Sequence, residues 1–431
     1  MNYTREEIVV LLHKALNKKL MGMVEIISAK SEKIGANLYV VGGFVRDLLL
    51  DRPNVDFDLV IEGESLDVVP EIAEIMRREF GGRIILHRRF GTAKWILPSK
   101  LAGELGLDIL DFAATRSEFY EEPTKLPVVQ PDNIGRDLYR RDFTVNTIAI
   151  SLSQSNFGEI IDLWNGMYDL NNKRLDVLHR QSFGDDPTRI LRAVRLEERL
   201  GFNISDRVLI MIEESLGLLE KVTADRIRHE IEKILSEDYP ENILARLCVL
   251  GIGKAICDEL DCRNDGWLKE KFALVRSFDL VNNISSVYFG LWLYDLSEEE
   301  IGNVSRRLNL ASSLEKSLMQ VCRTKSNLNV LANDINPSVI VEILDGITEV
   351  AMQILLISTN DAVVMKNILQ YYNKFRFVKP IINGDTLIEM GLDAGPDIGR
   401  ILAKLKVAWL DGYIHDLESE KKLAIKLIGD S

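Results

Sequence analysis

Short apolar runs separated by polar breaks fill the first 150 residues and predict alternating strands and helices. Residues 1–36 carry apolar positions at the period of an α-helix. Compact apolar runs predict strands at "LYVV", "VDFDLVIEG", "GRIILHRRFGTAKWIL" and "LDILDFAAT", and amphipathic spacing predicts helices at "FVRDLLL" and "SLDVVPEIAEIMRREFGG". This mixture ends near Ile150.

The rest of the chain has a different pattern. A turn-rich bridge, "IIDLWNGMYDLNNKRLDVL", leads into segments that nearly all have helical periodicity beyond Asp186. Examples are "PTRILRAVRLEERLGF", "DRVLIMIEESLGLLEKV" and "ADRIRHEIEKILS". We therefore predict an α+β protein, in which a head of mixed sheet and helices is followed by an all-helical remainder.

Composition and charge narrow the class of protein. The hydrophobic share of 46% is enough for a packed core. Lys and Arg number 53 against 66 Asp and Glu, so the net charge is −13 and any nucleic-acid contact must come from local arginine clusters. The N-terminal segment fits an amphipathic helix better than a signal peptide, and no apolar stretch approaches the length of a membrane span. We expect a soluble cytoplasmic protein with no membrane contact.

The first candidate site follows the strand "LYVV". Gly42 and Gly43 lie where a helix begins, so a phosphate can approach its free backbone amides, and Arg46 lies one turn further on. Asp56 and Asp58 alternate with apolar residues on the next strand and so share one face, which suits a hard cation such as Mg²⁺. Taken singly, the glycines are often only a tight turn and the aspartates a solvated strand face. Their order and proximity favour a phosphate-and-metal site.

A third carboxylate would complete the metal site. Asp111, in "LDILDFAATR", is the best candidate because its strand is apolar on both sides, and Asp108 is the competitor. The alternative is a strand-end aspartate without a ligand role.

Another polar group lies in the otherwise apolar segment "RDLYRRDFTVNTIAI". Asp142 and Asn146 are four residues apart and would be neighbours on a helix, with Arg140 and Arg141 beside them. Together, these side chains are suited to bind a ribose hydroxyl and a phosphate. The alternative is that Asp142 caps a buried helix.

The segment "FGDDPTRILRAVRLEERLGF" combines a helix start with a row of arginines. Asp186 and Pro187 are typical of an N-cap and a first helical position, which is one sufficient explanation of Asp186. Arg189 lies three residues further along the helix. Its guanidinium and the carboxylate of Asp186 can therefore bind the hydrogen-bonding edge of a nucleobase together. The arginines that share one arc of the helix are Arg189, Arg192, Arg195 and Arg199. They predict bound phosphates, although a solvated basic helix is the alternative.

These motifs occur in an order that resembles a known family. "GGFVRD", "DFD", "RRDFTVN", "DDPTRILRAVRLEERLGF" and "ADRIRHEIEKIL" are similar to the motifs of the class II tRNA nucleotidyltransferases, or CCA-adding enzymes, and of the related bacterial poly(A) polymerases. The resemblance is specific from about Leu38 to Leu235 and weaker through "INGDTLIEMGLDAGPDIGRIL".

The resemblance implies a polymerase-β-like nucleotidyltransferase head followed by a helical neck, body and tail. It implies that Asp56 and Asp58 bind the metal, with Asp111 as a third acidic position. It implies phosphate contacts from Gly43 and Arg46, sugar contacts from Arg141, Asp142 and Asn146, base recognition by Asp186 and Arg189, and further nucleotide contacts from Arg192 and Arg195. Asp162 and Gly166 match a hinge-like motif between head and neck.

One position departs from the family pattern. The template usually reads Glu-Asp-x-x-Arg, whereas this chain has Asp185 as its first carboxylate. The shorter side chain of Asp185 affects how Arg189 is oriented, and so affects the choice between cytosine and adenine. The segments "SFGDDPTRI" and "EPTKLPVVQP" are more similar to the A-adding branch than to full CCA-adding enzymes.

We therefore expect a head at 1–152, a neck at 153–236, a body at 237–345 and a tail at 346–431. The expected activity is two-metal, Mg²⁺-dependent addition of the terminal A, or of CCA, to tRNA from ATP and also CTP. The alternatives are a CC-adding enzyme, a poly(A) polymerase and an inactive RNA-binding module. The C-terminal "HDLESEKKLAIKLIGDS" lacks a strong basic block, which favours tRNA over general RNA.

Overall fold

A computed structural model describes residues 3–52, 57–119, 128–261, 265–278 and 283–430. Asp56 lies outside the described residues. The chain divides into two compact units. The first comprises Met1–Glu230 with Leu250–Ala255, and the second comprises Ile231–Val249 with Ile256–Ser431. The predicted domain boundaries after residues 152 and 345 fall inside these units and stay predictions.

The first unit contains a seven-stranded mixed sheet among its described residues. Along the chain the strands are β1 (Asn37–Val41), β2 (Asp58–Glu62), β3 (Arg83–His87), β4 (Thr92–Ile96), β5 (Ile109–Ala114), β6 (Arg116–Phe119), β7 (Val128–Pro131), β8 (Ala149–Ser151), β9 (Ile160–Ile161), β10 (Arg174–Leu175) and β11 (Asn203–Ile204). The sheet order is β3-β4-β5-β2-β1-β8-β9, and β2 and β5 are its parallel pair. The strands β6 and β7 pair with each other, as do β10 and β11.

Helices cover the sheet and continue the first unit. They are α1 (Arg5–Ala15), α2 (Lys18–Lys33), α3 (Gly43–Leu49), α4 (Val68–Phe80), α5 (Ser99–Leu105), α6 (Ile134–Tyr139), α7 (Gly166–Asn171), α8 (Ser182–Asp185), α9 (Thr188–Leu200), α10 (Asp206–Ser215) and α11 (Ala224–Ile234). A capping box between Thr4 and Glu7 begins α1, as expected for the N-terminal segment.

Both faces of the central strands are buried. Leu38, Val40 and Leu59 point to one face of the sheet. On the other face, Tyr39 and Val41 belong to a cluster with Val60, Leu138 and Ala149. This two-sided burial explains the near-continuous apolar runs from which the strands were predicted.

The remaining helices make up most of the second unit, except for α13 (Ile252–Ile256), which lies almost wholly within Leu250–Ala255 of the first unit. They are α12 (Pro240–Val249), α13 (Ile252–Ile256), α14 (Asp265–Ser277), α15 (Ile284–Trp292), α16 (Glu298–Leu308), α17 (Ser312–Lys325), α18 (Leu328–Leu331), α19 (Pro337–Leu344), α20 (Glu349–Ser358), α21 (Ala362–Asn373), α22 (Gly384–Glu389), α23 (Pro396–Leu410) and α24 (Leu417–Gly429). The predicted α+β class, with sheet first and helices after, is confirmed. In the described part of the chain, every helix is too short or too polar to cross a membrane.

Candidate active site

Two carboxylates meet on neighbouring strands of the central sheet. Asp58 is the register partner of Asp111 in the parallel pair of β2 and β5, so their side chains emerge on the same face. Lys94, opposite Asp111 on β4, places its Nζ 3.5 Å from Oδ1 of that aspartate. Asp108 instead lies exposed before β5. The structure therefore pairs Asp111, rather than its competitor, with Asp58.

This sheet face forms a cavity of about 250 Å³. It is lined by Asp58, Leu59, Val60, Thr92, Lys94, Asp111, Phe112, Ala113 and Arg141. Carboxylate oxygens are the ligands that Mg²⁺ prefers, so the donor set fits a hard cation. Residues 3–52, 57–119, 128–261, 265–278 and 283–430 contain no group of three or more metal-ligating side chains. Asp56, the remaining predicted ligand, lies outside those ranges.

The two glycines lie where β1 gives way to α3. Gly42 has a φ of 75°, a backbone conformation that favours glycine. A Cβ there would lie 3.1 Å from Nη1 of Arg141, so the absence of a side chain also leaves room for that arginine. Gly43 is the first residue of α3.

Arg46 is only 4% exposed and is held by protein groups. Its Nε and Nη2 donate to the carboxylate of Asp47 at 2.7 and 2.9 Å. Its Nη1 donates to Oδ1 of Asn146 at 2.7 Å. The predicted contact of Arg46 with phosphate stays a prediction, and in this structure the guanidinium orients Asn146.

Asp142 and Asn146 are neighbours, but not on an α-helix. Thr144–Asn146 is a single 3-10 turn, and Nδ2 of Asn146 donates to Oδ1 of Asp142 at 2.9 Å. The same Oδ1 accepts from the backbone N–H of Phe143 at 2.9 Å. The expected helical geometry was wrong because the chain passes directly into β8. The predicted contact exists because a tight turn also brings these positions together.

The carboxylate of Asp142 is buried and charged. Arg192 donates to its Oδ2 through Nε at 2.9 Å and through Nη2. Burial alone raises the pKa of Asp142, but Arg192 and the amide of Asn146 outweigh it and hold the pKa below its ordinary value. Burial lowers the pKa of Arg192, but the charge of Asp142 outweighs it and raises that pKa.

Arg141 is anchored by a carboxylate that sequence reasoning did not single out. Asp137 is fully buried and accepts from Nη2 of Arg141 at 3.0 Å and from Nη2 of Arg140 at 2.7 Å. Burial raises the pKa of Asp137, but the two arginines outweigh it and lower that pKa. The i, i+3 and i, i+4 spacing from Asp137 to these arginines was the available clue.

A second cavity, of about 400 Å³, lies beside these residues. It is lined by Glu118, Arg140, Arg141, Asp142, Asp186, Thr188, Arg189, Arg192, Arg226, His229 and Glu230. Arg141 lines both this cavity and the cavity at Asp58 and Asp111.

Asp186 and Arg189 both line the second cavity, but they bond to other residues. Oδ1 of Asp186 accepts from the backbone N–H of Thr188 at 2.9 Å and from Nη2 of Arg226 at 2.7 Å. The aspartate therefore caps the first turn of α9, as one reading of the sequence proposed. Arg189 is buried and donates to Oγ of Ser182 at 2.9 Å and to the carbonyl oxygen of Arg140 at 2.7 Å.

Two arginines of the row on α9, Arg192 and Arg195, face carboxylates of the protein. Arg192 bonds to Asp142, and Arg195 lies 3.8 Å from the buried Glu230. The sequence shows no carboxylate between these arginines, yet α11 and the loop before the 3-10 turn supply them. Arg226, His229 and Glu230 recur at helical spacing in "ADRIRHEIEKIL", which was the clue to their common face.

Asp185 lies outside the set that lines this cavity. Its Oδ2 is 3.8 Å from Nε2 of His179. Burial raises the pKa of Asp185 and lowers the pKa of His179. The residue that departs from the family pattern is therefore tied to the segment before α8.

Asp162 and Gly166 form a tight helix start. The carboxylate of Asp162 accepts from the backbone N–H groups of Gly166 and Met167 at 2.8 and 2.9 Å. A Cβ on Gly166 would lie 2.4 Å from the carbonyl oxygen of Thr144. The motif thus packs α7 against the turn that carries Asn146.

Comparisons with known proteins indicate the family of the chain. Residues 38–176 match the family described as "Poly A polymerase head domain", and residues 201–262 match the family described as "Probable RNA and SrmB- binding site of polymerase A". The A-adding tRNA nucleotidyltransferase of Geobacter sulfurreducens is 31% identical over 439 residues, covering 98% of this chain and 49% of that protein. The chain spans about half the length of the first curated relatives it matches, or less.

Solved structures match the chain over nearly its whole length. A CCA-adding enzyme in an apo form has a TM-score of 0.80 and 30% identity, covering 97% of this chain and 98% of that one. The Thermotoga maritima CCA-adding enzyme complexed with tRNA has a TM-score of 0.74 and 28% identity, with 98% of both chains covered. The mixed sheet with its paired aspartates is a polymerase-β-like nucleotidyltransferase head. The chain belongs to the class II CCA-adding enzyme family.

Proposed function

We propose that this protein is a template-independent tRNA nucleotidyltransferase, which adds the 3′-terminal A, or CCA, from ATP and CTP and releases pyrophosphate. One observation carries the proposal. A carboxylate pair on the sheet, Asp58 and Asp111, lies in a cavity that shares Arg141 with a second cavity rich in arginines. Nucleotidyl transfer needs a metal-binding carboxylate pair beside a site for a triphosphate.

The carboxylates would hold Mg²⁺. Asp58 and Asp111 supply oxygen ligands on one sheet face, and Asp56 is the proposed third ligand. Divalent cations, if held by these carboxylates, would lower the pKa of the attacking 3′-hydroxyl and offset the charge of the departing pyrophosphate. Arg141 faces the same cavity and stabilises the negative charge that develops on the transferred phosphate. The amides at Gly42 and Gly43 are proposed to contact the triphosphate.

The second cavity would bind the nucleoside. Oδ1 of Asp186 is engaged by Thr188 and Arg226, and its other oxygen would accept from the exocyclic amine of adenine or cytosine. Arg189 would donate to the base, while Asp142 and Asn146 would hold the ribose and Arg192 and Arg195 the phosphates. Arg46 acts through Asn146, because its nitrogens donate to Asn146 and Asp47.

A poly(A) polymerase and a CC-adding enzyme are the competing specificities. The match to a poly A polymerase head is compatible with the first, because both activities use one kind of head. The helical second unit would contact the tRNA, and with a net charge of −13 that contact should be local and salt-sensitive. We also propose that the protein works in the cytoplasm.

The decisive experiment offers tRNA transcripts that end before CCA, after C or after CC, with ATP and CTP supplied separately. Extension of the CC-ended transcript alone, and only by ATP, identifies an A-adding enzyme. Completion of the shortest transcript identifies a full CCA-adding enzyme, and arrest after CC identifies a CC-adding enzyme. Long A tails on unrelated RNA would replace the tRNA proposal by the poly(A) polymerase, and no incorporation with any RNA would contradict both.

A further inference from the structure

One interval of the second unit has a charge composition opposite to that of the chain. Acidic residues outnumber basic ones by 66 − 53 = 13 overall, yet none occurs between Asp361 and Asp385. The interval carries four exposed cations, Lys366, Lys374, Arg376 and Lys379.

These four cations lack carboxylate partners within the described residues. Some cations elsewhere in the same unit are paired with carboxylates. Arg323, for example, lies 2.7 Å from Glu298, and Lys406 lies 3.2 Å from Asp345. Surface cations normally alternate with acids, so a set of four without acids leaves positive charge available to an external anion.

Arg376 lies between two aromatic rings. Its guanidinium carbon is 4.0 Å from the ring centroid of Tyr372 and 4.7 Å from that of Phe377. Phe375 is 7% exposed and provides the packing of this turn, whereas Phe377 is 62% exposed. Phe377 is therefore not part of the core. Its ring is available to a partner and lies beside the oriented guanidinium of Arg376.

A groove of about 560 Å³ runs along the same helix, α21. It is lined by Ala362, Met365, Lys366, Leu369, Gln370, Asn373 and Lys374. The groove is mainly apolar and includes two lysines. It therefore fits a polymer in which flat apolar groups alternate with negative charges.

We propose that the α21 surface, defined as this groove with Arg376, Phe377 and Lys379, is an RNA-binding site. Phe377 and Arg376 stack on an unpaired base, and the lysines contact the phosphates beside it. Bases stack on both aromatic rings and guanidinium planes, whereas an acidic peptide supplies charge alone. This inference rests on the proposed function, because tRNA is the RNA in question.

The test measures binding of a tRNA transcript to the full-length protein by fluorescence anisotropy, without nucleotide and over a range of salt concentrations. Phe377→Ala should weaken binding roughly tenfold, as loss of a stacked base does, and Phe377→Tyr should restore it. Lys374→Ala should lower the slope of log affinity against log salt by about one. Arg323→Ala changes the net charge as Arg376→Ala does, but should have little effect because Arg323 is already paired.

Steady-state incorporation separates this site from the catalytic one. Phe377→Ala and Arg376→Ala should raise the KM for tRNA and leave the KM for ATP unchanged. Wild-type affinity in Phe377→Ala, or equal weakening in Arg323→Ala, overturns the inference. Selective loss of binding to a poly-glutamate peptide, with tRNA affinity retained, also overturns it and indicates an acidic protein partner. Binding is measured without nucleotide and so does not depend on catalysis. A wild-type protein that binds tRNA through Phe377 but incorporates no nucleotide would contradict only the proposed function.

Discussion

Arg192 donates hydrogen bonds to Asp142, a residue 50 positions earlier in the chain. The pair joins α9 to the turn that carries Asn146, and its carboxylate is buried. Removing one partner of a buried ion pair leaves an uncompensated charge, which is more costly than the pair itself is favourable.

Arg192→Ala should therefore lower the free energy of unfolding by roughly 3 kcal/mol. Urea unfolding followed by circular dichroism measures this change. Arg199→Ala is the matched control, because Arg199 lies exposed at the end of the same helix and should cost less than about 0.5 kcal/mol. Equal stability of the two variants would show that the buried pair does not hold α9 in place.

Stability should decline at acid pH because of two lowered pKa values. The pKa values of Asp137 and Asp142 both lie below the ordinary value of 3.8. The unfolded chain therefore binds these protons first, so the stabilisation is present above that value and is lost as the pH falls below it. Asp137→Asn should be less stable near neutral pH and should lose less stability between about pH 6 and about pH 3. Urea midpoints across that range measure the slope, and an unchanged slope contradicts the assignment.

Asp58→Asn should reduce nucleotide incorporation at least about a thousandfold, because an amide is a poor ligand for a hard cation. Circular dichroism should show an unchanged fold, since Asp58 lies at the end of β2 and is only partly buried. Chelation of divalent metal should abolish wild-type incorporation, and Mg²⁺ should restore it. Asp108→Asn, on the exposed competitor, should stay active. Metal-dependent activity retained in Asp58→Asn would remove the basis of the mechanism.

Asp186→Asn should relax the choice of base. Adenine and cytosine present an amine where guanine and uracil present a carbonyl oxygen, and a carboxylate accepts only from the amine. An asparagine amide can also donate, so incorporation of UTP and GTP relative to ATP should rise roughly tenfold. Single-nucleotide incorporation with each triphosphate measures the ratio. Asp225→Asn, on an exposed neighbour of Arg226, is the control and should leave selectivity unchanged.

Gly166→Ala should destabilise the protein by about 1–3 kcal/mol, because the new Cβ would meet the carbonyl oxygen of Thr144 at 2.4 Å. Gly302→Ala should instead stabilise it by about 0.5–1 kcal/mol, since Gly302 is helical and has no atom within 4 Å of an added Cβ. Thermal unfolding of both variants gives the two signs. A neutral Gly166→Ala would mean that α7 can shift away from the turn.

Sequence patterns predicted the central strands β1, β2 and β5 because their buried residues form compact apolar runs. These patterns could not predict that Asp58 and Asp111 are register partners, because periodicity reveals which side chains share a face but not which strands are adjacent. The candidate residues on α9 were found from spacing alone. Their partners were missed because Asp142 and Glu230 come from two other segments of the sequence.

The orientation of individual polar groups was the least predictable part. The protein partners of Arg46 were not predicted: Asp47 is adjacent in sequence, whereas Asn146 comes from a distant turn, and together they bind its guanidinium. The bonds from Arg189 to Ser182 and to the carbonyl oxygen of Arg140 were not predicted either. Local spacing identifies the donors and acceptors of a segment. Which donor bonds to which acceptor depends on the folded structure.

Arg141 borders both cavities with a single guanidinium that is anchored at Asp137. An anion that draws this positive charge towards one cavity withdraws it from the other. Under the proposed function, cation binding near Asp58 and nucleotide binding near Asp186 would therefore be thermodynamically linked, and each would alter the affinity of the other by the same factor.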